Sequence, residues 1–171
     1  MTYKGAPLTS INQTWGTPVA FFEFLKDNFG FIPDLDAAAS DKNHKAPVYY
    51  TEEENSLEME WFGNVWLNPP FGKVLLPQFL EKCNYEITHG KAERIFCLIP
   101  ARTDTKWFHE IVMKCAYRIY FIKGRFNFES PYSAAGANAP FPSMLVTYTR
   151  SRLLTRPFLE TLEVDKKFRG W

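Results

Sequence analysis

Two consecutive prolines, Pro69 and Pro70, follow directly on the apolar run Val65-Trp66-Leu67. Proline has no N–H to give a sheet and fixes its own φ, so a pair of them ends a strand outright. A strand must therefore stop at Leu67, leaving Asn68-Pro69-Pro70-Phe71 at its carboxyl end. With 171 residues, the chain is long enough for one domain with one real core and short for two.

The rest of the chain reads as alternating elements without repeats or low-complexity segments. Residues 1–14 are polar and expected to be loosely held. Thr17-Pro18 opens a helix, with Thr17 as the cap and Pro18 in the first turn. Phe21, Phe22, Leu25 and Phe29 continue it at helical spacing, and Gly30 ends it. Strands are expected at Phe31–Asp36, Val48–Tyr50, Asn64–Leu67, Arg94–Ile99, Arg118–Ile122 and Ser143–Thr149. Helices are expected at Leu75–Thr88, from Thr103 or Asp104 to about Ala116, and at 157–168. The stretch 123–142, rich in Gly, Pro, Ser and Asn, reads as a long loop.

Strands separated by helices predict an α/β fold, a mostly parallel sheet with helices on both faces. Ligands of such sheets bind outside the carboxyl ends of the strands. Asp36, the Glu52–Glu54 run, Asn68–Phe71 and Pro100-Ala101-Arg102 each come just after an expected strand, so all should share that edge.

Composition restricts the function classes. Net charge is +1, so any nucleic-acid surface must come from local clusters such as Lys123 with Arg125 or Arg102 with Lys106. Aromatic residues make up 17%, enough to fill a core and leave some rings for stacking. Cys83, Cys97 and Cys115 form no CxxC pair, and His44, His89 and His109 lack ligand spacing. Reduced thiols and no metal are expected. No run approaches 18 apolar residues and no signal peptide is evident, which predicts a cytoplasmic protein without membrane contact.

Asn68–Phe71 carries a recognisable chemistry. The amino nitrogen of a purine donates its lone pair into the ring and is a poor nucleophile. Acceptors that hold its hydrogens and draw it toward tetrahedral geometry make it reactive, provided it lies in line with the group to be transferred. Asn68 offers a side-chain carbonyl, Pro69 a main-chain carbonyl whose direction Pro70 fixes, and Phe71 a face for a base swung out of its stack. The plain alternative is a strand-ending turn with a packed Phe.

The chain resembles the phage-type DNA adenine-N6 methyltransferases (Dam-like) over roughly residues 14–149. The similarity rests on Thr14-Trp15-Gly16-Thr17-Pro18, Leu35-Asp36-Ala37-Ala38-Ala39, Asn55-Ser56-Leu57 and Trp66-Leu67-Asn68-Pro69-Pro70-Phe71. It extends through Leu98-Ile99-Pro100-Ala101-Arg102-Thr103-Asp104-Thr105, Lys123-Gly124-Arg125-Phe126 and Pro140-Phe141-Pro142-Ser143.

The resemblance implies a single Rossmann-like domain over residues 1–171, with an antiparallel last strand inserted beside the fifth. It implies S-adenosyl-L-methionine (AdoMet) as methyl donor, double-stranded DNA as partner, a flipped adenine as target, and the cytoplasm of a phage host as location. Asn68, Pro69, Pro70 and Phe71 match the catalytic motif. Trp15, Thr17 and Pro18 match the motif beside the methionine part of AdoMet. Asp36 and Ala37 end the first cofactor strand, where Asp36 would hold the ammonium group. Glu52 or Glu53 would meet the ribose, and Asn55 and Leu57 the adenine side. The family's Gly-rich turn is replaced by Ala37-Ala38-Ala39-Ser40, and alanine disfavours φ > 0.

Recognition would fall to the 123–142 loop, since no further domain fits after residue 150, with Arg102, Lys106, Lys123 and Arg125 meeting phosphates. The chain would be a monomer or weak dimer. Three other readings stay open: methylation of RNA adenine, methylation of a protein glutamine (whose enzymes usually carry an extra N-terminal domain), and a non-catalytic nucleic-acid-binding module. Cytosine-N4 enzymes generally carry Ser in place of Asn68.

Overall fold

The apolar runs pair into one seven-stranded sheet of order β2-β1-β3-β4-β8-β5-β9. The computed structural model describes residues 16–130, 133–151, 157–165 and 168–170. The expected loose terminus 1–14, and Trp15, lie outside the described residues. The strands are β1 (Leu35–Asp36), β2 (Val48–Tyr49), β3 (Phe62–Leu67), β4 (Lys91–Pro100), β5 (Arg118–Ile122), β8 (Ser143–Thr149) and β9 (Phe158–Leu162). All neighbours run parallel except β8, which lies antiparallel between β4 and β5. The expected α/β class with a mostly parallel sheet is borne out at this level; the antiparallel strand expected last, beside the fifth, is β8, but β9 follows it and lies parallel on the far side of β5.

Period-two alternation divides the core between the two faces. Val65, Leu67, Ile95, Cys97, Ile99, Met144, Val146 and Tyr148 point to one face. Trp66, Phe96, Leu98 and Leu145 point to the other. On the first face lies α2 (Leu75–Thr88), which buries Leu76, Phe79, Leu80, Cys83 and Ile87, a stripe at helical spacing. Beside it is α3, a π-helical turn at Phe108–Val112 followed by an α-helical turn at Met113–Cys115. On the second face lies α1 (Val19–Phe29), burying Phe21 and Leu25. Gly30, at φ 57°, ends α1 in the left-handed conformation expected of a glycine there, and its N–H bonds Lys26 O.

Several expectations are corrected. Thr17 does not cap α1: the cap position falls to Pro18, with no side-chain hydrogen bond. Thr105 starts α3, accepting from Phe108 N–H at 3.4 Å, rather than Thr103 or Asp104.

The 123–142 stretch is not a plain loop. It contains β6 (Arg125–Ser130) and β7 (Ser133–Asn138), an antiparallel pair extended by β10 (Arg169–Gly170) into a three-stranded sheet. The expected helix at 157–168 is strand β9 instead, paired in parallel register with β5 from Arg118↔Phe158 to Ile122↔Leu162. The open edge of β5 offers five residues of unpaired ladder, and satisfying those groups outweighs a helical pattern of apolar side chains. Two crossovers carry no helix: 37–47, where 41–47 reads as a loop in the sequence, joins β1 to β2, and 50–61 joins β2 to β3, both through loops and turns alone.

Candidate functional site

From β1 the chain moves outward to β2; from β3 it moves the other way to β4. The strand order thus reverses between β1 and β3, the place where a crevice opens in a sheet of this kind. A cavity of about 760 Å³ lies there, walled by Ala37–Asp41, Tyr49–Leu57, Asn68–Phe71 and, from α2, Leu75 and Phe79. The two helix-free crossovers supply most of its wall. That volume falls within the range of sites that bury a small organic molecule, about 300–1,000 Å³.

Asn68 stands at the end of β3 as the prolines require. Its Oδ1 is buried and has no hydrogen-bond partner among the described residues. Buried carbonyls are nearly always satisfied, so this one is open to a donor from beyond the described residues. Phe71 meets Phe141 edge-on, ring centroids 5.5 Å apart. Phe141 comes from the segment leading into β8, and the Ala101 N–H donates to Pro142 O at 2.8 Å, tying that segment to the end of β4. Pro140-Phe141-Pro142-Ser143 therefore reaches the catalytic-type motif because β8 runs backward and starts at the rim where the parallel strands end.

Asp36 is 3% exposed at the end of β1 and is not part of the cavity wall. Its Oδ1 accepts from Ala38 N–H at 3.3 Å and its Oδ2 from Lys45 N–H at 3.0 Å. The carboxylate thus organises the 37–45 loop. Burial pushes its pKa up to about 6, against the two amides and the nearby charges of Lys45 and His44. The Gly-rich turn is not missed here: among the described non-glycine residues only Asn55 has positive φ, so Ala37, Ala38 and Ala39 adopt ordinary backbone angles.

Glu52, Glu53, Asn55 and Leu57 all line the cavity. Glu54 does so too, but its carboxylate accepts from the Thr51 N–H at 2.9 Å and fixes the turn. Asn55 takes φ 53°, a conformation asparagine tolerates better than most residues. The turn is anchored below by Trp61, whose Nε1 donates to Ser56 O at 3.0 Å. Asp41, Tyr49, Tyr50 and Phe79 join the wall without having been singled out in the sequence. Tyr49 stacks on His44 at 4.2 Å and donates to Asp41 Oδ1 at 3.0 Å. Among the described residues the wall carries Asp41, Glu52, Glu53 and Glu54 but neither Lys nor Arg, which disfavours a polyphosphate and favours a ligand bearing positive charge.

Other expected residues lie elsewhere. Thr17 is buried, its Oγ1 without a partner among the described residues, and neither it nor Pro18 is on the cavity wall. Arg102 is exposed at the end of β4, adjacent to β3. Lys106 is exposed and pairs with Glu110 at 3.6 Å. Lys123 pairs with Glu163 at 3.2 Å, and Arg125 is exposed on β6. Those two follow β5, three strand spacings or about 14 Å from β3. Lys73, exposed just after Phe71, is a cation at the rim that the motif reading passed over. The described residues contain no cluster able to hold a metal ion and no helix long and apolar enough to cross a membrane.

The sheet thus opens at its switch point onto a cavity with an acidic wall and the buried carboxamide oxygen of Asn68. The chain belongs to the DNA N-6-adenine-methyltransferase (Dam) family, whose model matches residues 6–161. It is similar to the DNA N-6-adenine-methyltransferase of Escherichia phage T1, 34% identical over 121 residues that cover 69% of this chain and 49% of that one. It is also similar to the DNA N-6-adenine-methyltransferase of Haemophilus phage HP1 (strain HP1c1), 30% identical over 129 residues, 75% of this chain and 73% of the relative. The match thus spans about half the length of the phage T1 protein. The family read from the motifs is borne out.

Proposed function

We propose that the protein transfers a methyl group from AdoMet to the N6 amino group of adenine in double-stranded DNA, on a Rossmann-like methyltransferase fold, with the adenine swung out of the helix. The observation that carries this reading is the buried Oδ1 of Asn68, without a partner among the described residues, on the wall of the switch-point cavity. An amino hydrogen of adenine satisfies that acceptor, and the bond gains strength as the nitrogen turns tetrahedral and its hydrogens become more acidic. Phe71, braced edge-on by Phe141, presents a ring for the base. Unstacking the base costs a few kcal/mol, which such contacts offset.

The cavity fits AdoMet in volume and charge. Glu52 and Glu53 are the carboxylates free to accept from ribose hydroxyls, Glu54 being engaged with Thr51. The acidic wall suits a sulfonium, and Tyr49 and Tyr50 offer apolar surface for a nucleoside. When bound, AdoMet supplies an electrophilic methyl carbon. The chain's own task is to place the amino nitrogen in line with it and to exclude water.

The names of the phage relatives support DNA adenine as the substrate. The test is transfer of tritiated methyl from AdoMet to unmethylated DNA, followed by nucleoside analysis and methylation-sensitive sequencing. Label in N6-methyladenine is expected, and label in another base, in RNA alone or in protein overturns the reading. Asn68→Ala is expected to lower methyl transfer at least a hundredfold (about 3 kcal/mol) while AdoMet binding changes less than threefold. Parallel loss of both would remove Asn68 from the role given to it.

A further inference from the structure

The β6–β7 hairpin and the 37–45 loop meet at one carboxylate. Glu129, on β6, accepts from Lys45 Nζ at 3.1 Å through Oε2. Its Oε1 accepts from the Val19 N–H at the start of α1 at 3.3 Å. The Glu129 backbone pairs with Gly16 in both directions, at 2.8 and 3.2 Å. Gly16 is fitted to the spot, since a Cβ there would stand 3.1 Å from Glu129 Oε2 and 3.6 Å from Lys45 Nζ. Lys45 in turn closes the loop by donating its own N–H to Asp36 Oδ2 at 3.0 Å, and its side chain is only 11% exposed.

Three segments remote in sequence therefore join through one group, and two of them border different parts of the site. Residues 37–41 wall the cavity. The hairpin is inserted between β5 and β8 on the same rim, where its return segment carries Phe141 to Phe71. A link that both ligands help to order makes the binding of each favour the other, by the same factor in both directions.

Resting on the function proposed above, we infer that Glu129 is a positioning residue that couples engagement of target DNA by the β6–β7 hairpin to AdoMet binding by the 37–45 loop, through Lys45. Glu129 is not on the cavity wall, so it acts through its partners.

The test uses S-adenosylhomocysteine, the unreactive thioether counterpart, titrated calorimetrically into the full chain with and without a duplex carrying the site mapped by sequencing. The wild-type chain is expected to bind it more tightly with DNA present. Glu129→Gln should cut that enhancement about threefold while changing each separate affinity less than twofold. Lys45→Met retains the backbone bond to Asp36 and should give the same cut, and the double variant should lose no more than either single one.

An enhancement unchanged in Glu129→Gln, or losses that add in the double variant, overturn the coupling. Equal weakening of both separate affinities with the enhancement intact marks a purely structural role and overturns it too. A wild-type chain that binds no S-adenosylhomocysteine under either condition overturns the functional reading itself and the coupling with it, an outcome distinct from the others.

Discussion

At the scale of single residues, Asp36 makes the sharpest claim. Its carboxyl, pushed by burial to about 6, is more readily protonated in the folded protein than in the unfolded chain, where 3.8 applies. Between those two values the folded state holds more protons. The Asp36 contribution to stability is therefore full below about pH 4, declines as pH rises through 6, and is flat above; the full change is about 3 kcal/mol. Function runs the other way, because the ionised carboxylate accepts from both loop amides more strongly than the protonated acid does. AdoMet affinity is expected to fall as pH drops through about 6. In Asp36→Asn the affinity should be lower throughout and lack that inflection, as calorimetry from pH 5 to 8 would reveal. Phe71→Ala is expected to lose about ten- to a hundredfold in kcat/KM for DNA, and Phe71→Tyr far less, if the ring serves for stacking. Alanine and tyrosine variants of equal activity would exclude that role. Asn68 and Phe71 were legible in the sequence because two prolines fix where the strand ends. Tyr49 and Asp41 were not, because nothing in their local pattern says that loop 37–47 folds back beside β2.

At the scale of elements, legibility followed the source of each element's stability. Strands β5 and β8 and helix α2 match the sequence boundaries residue for residue, since a short, nearly continuous apolar run specifies each strand and period-3.6 burial the helix. The hairpin and β9 escaped. Strand β7, Ser133-Ala134-Ala135-Gly136-Ala137-Asn138, contains no β-branched or aromatic residue and forms a strand through its pairing with β6. Strand β9 likewise owes its form to the edge of β5. The kink in β3 gives a separate test. Gly63 has φ 59°, and a Cβ there would lie 2.5 Å from Asp34 Oδ2, the atom that accepts from Asn64 N–H. Gly63→Ala is expected to cost about 2 kcal/mol or more in denaturant unfolding. If the ends of β4 and β6 meet DNA as proposed, Arg102→Ala and Arg125→Ala should each reduce the salt slope of DNA binding by about 1. Lys106→Ala and Lys123→Ala should change it less, because Glu110 and Glu163 already engage those ammonium groups. Slopes unchanged from wild type in Arg102→Ala and Arg125→Ala would mean that the hairpin and the β4 end do not meet phosphate.

At the scale of the whole molecule, one sheet carries two apolar cores, and only its carboxyl rim bears the site. The parallel strands and the helices on both faces followed from the alternation of apolar runs. The opening of the cavity did not, because it depends on two crossovers that lack helices. The placement of β8 has a further consequence. Strands β5 and β8 pair directly, from Arg118↔Thr147 to Phe121↔Met144, so residues 123–142 form an excursion whose two ends are clamped side by side. The free energy of closing such an excursion grows only slowly with its length, about 0.6 kcal/mol per doubling. The sheet register is thus insulated from changes at the exposed positions of the excursion. A frame built this way can accept an exchanged segment as a cassette provided that the buried Phe126, Phe128 and Ala139, the Glu129 carboxylate and the Phe141 ring are kept: grafting the exposed positions of a relative's matching stretch is expected to transplant target preference.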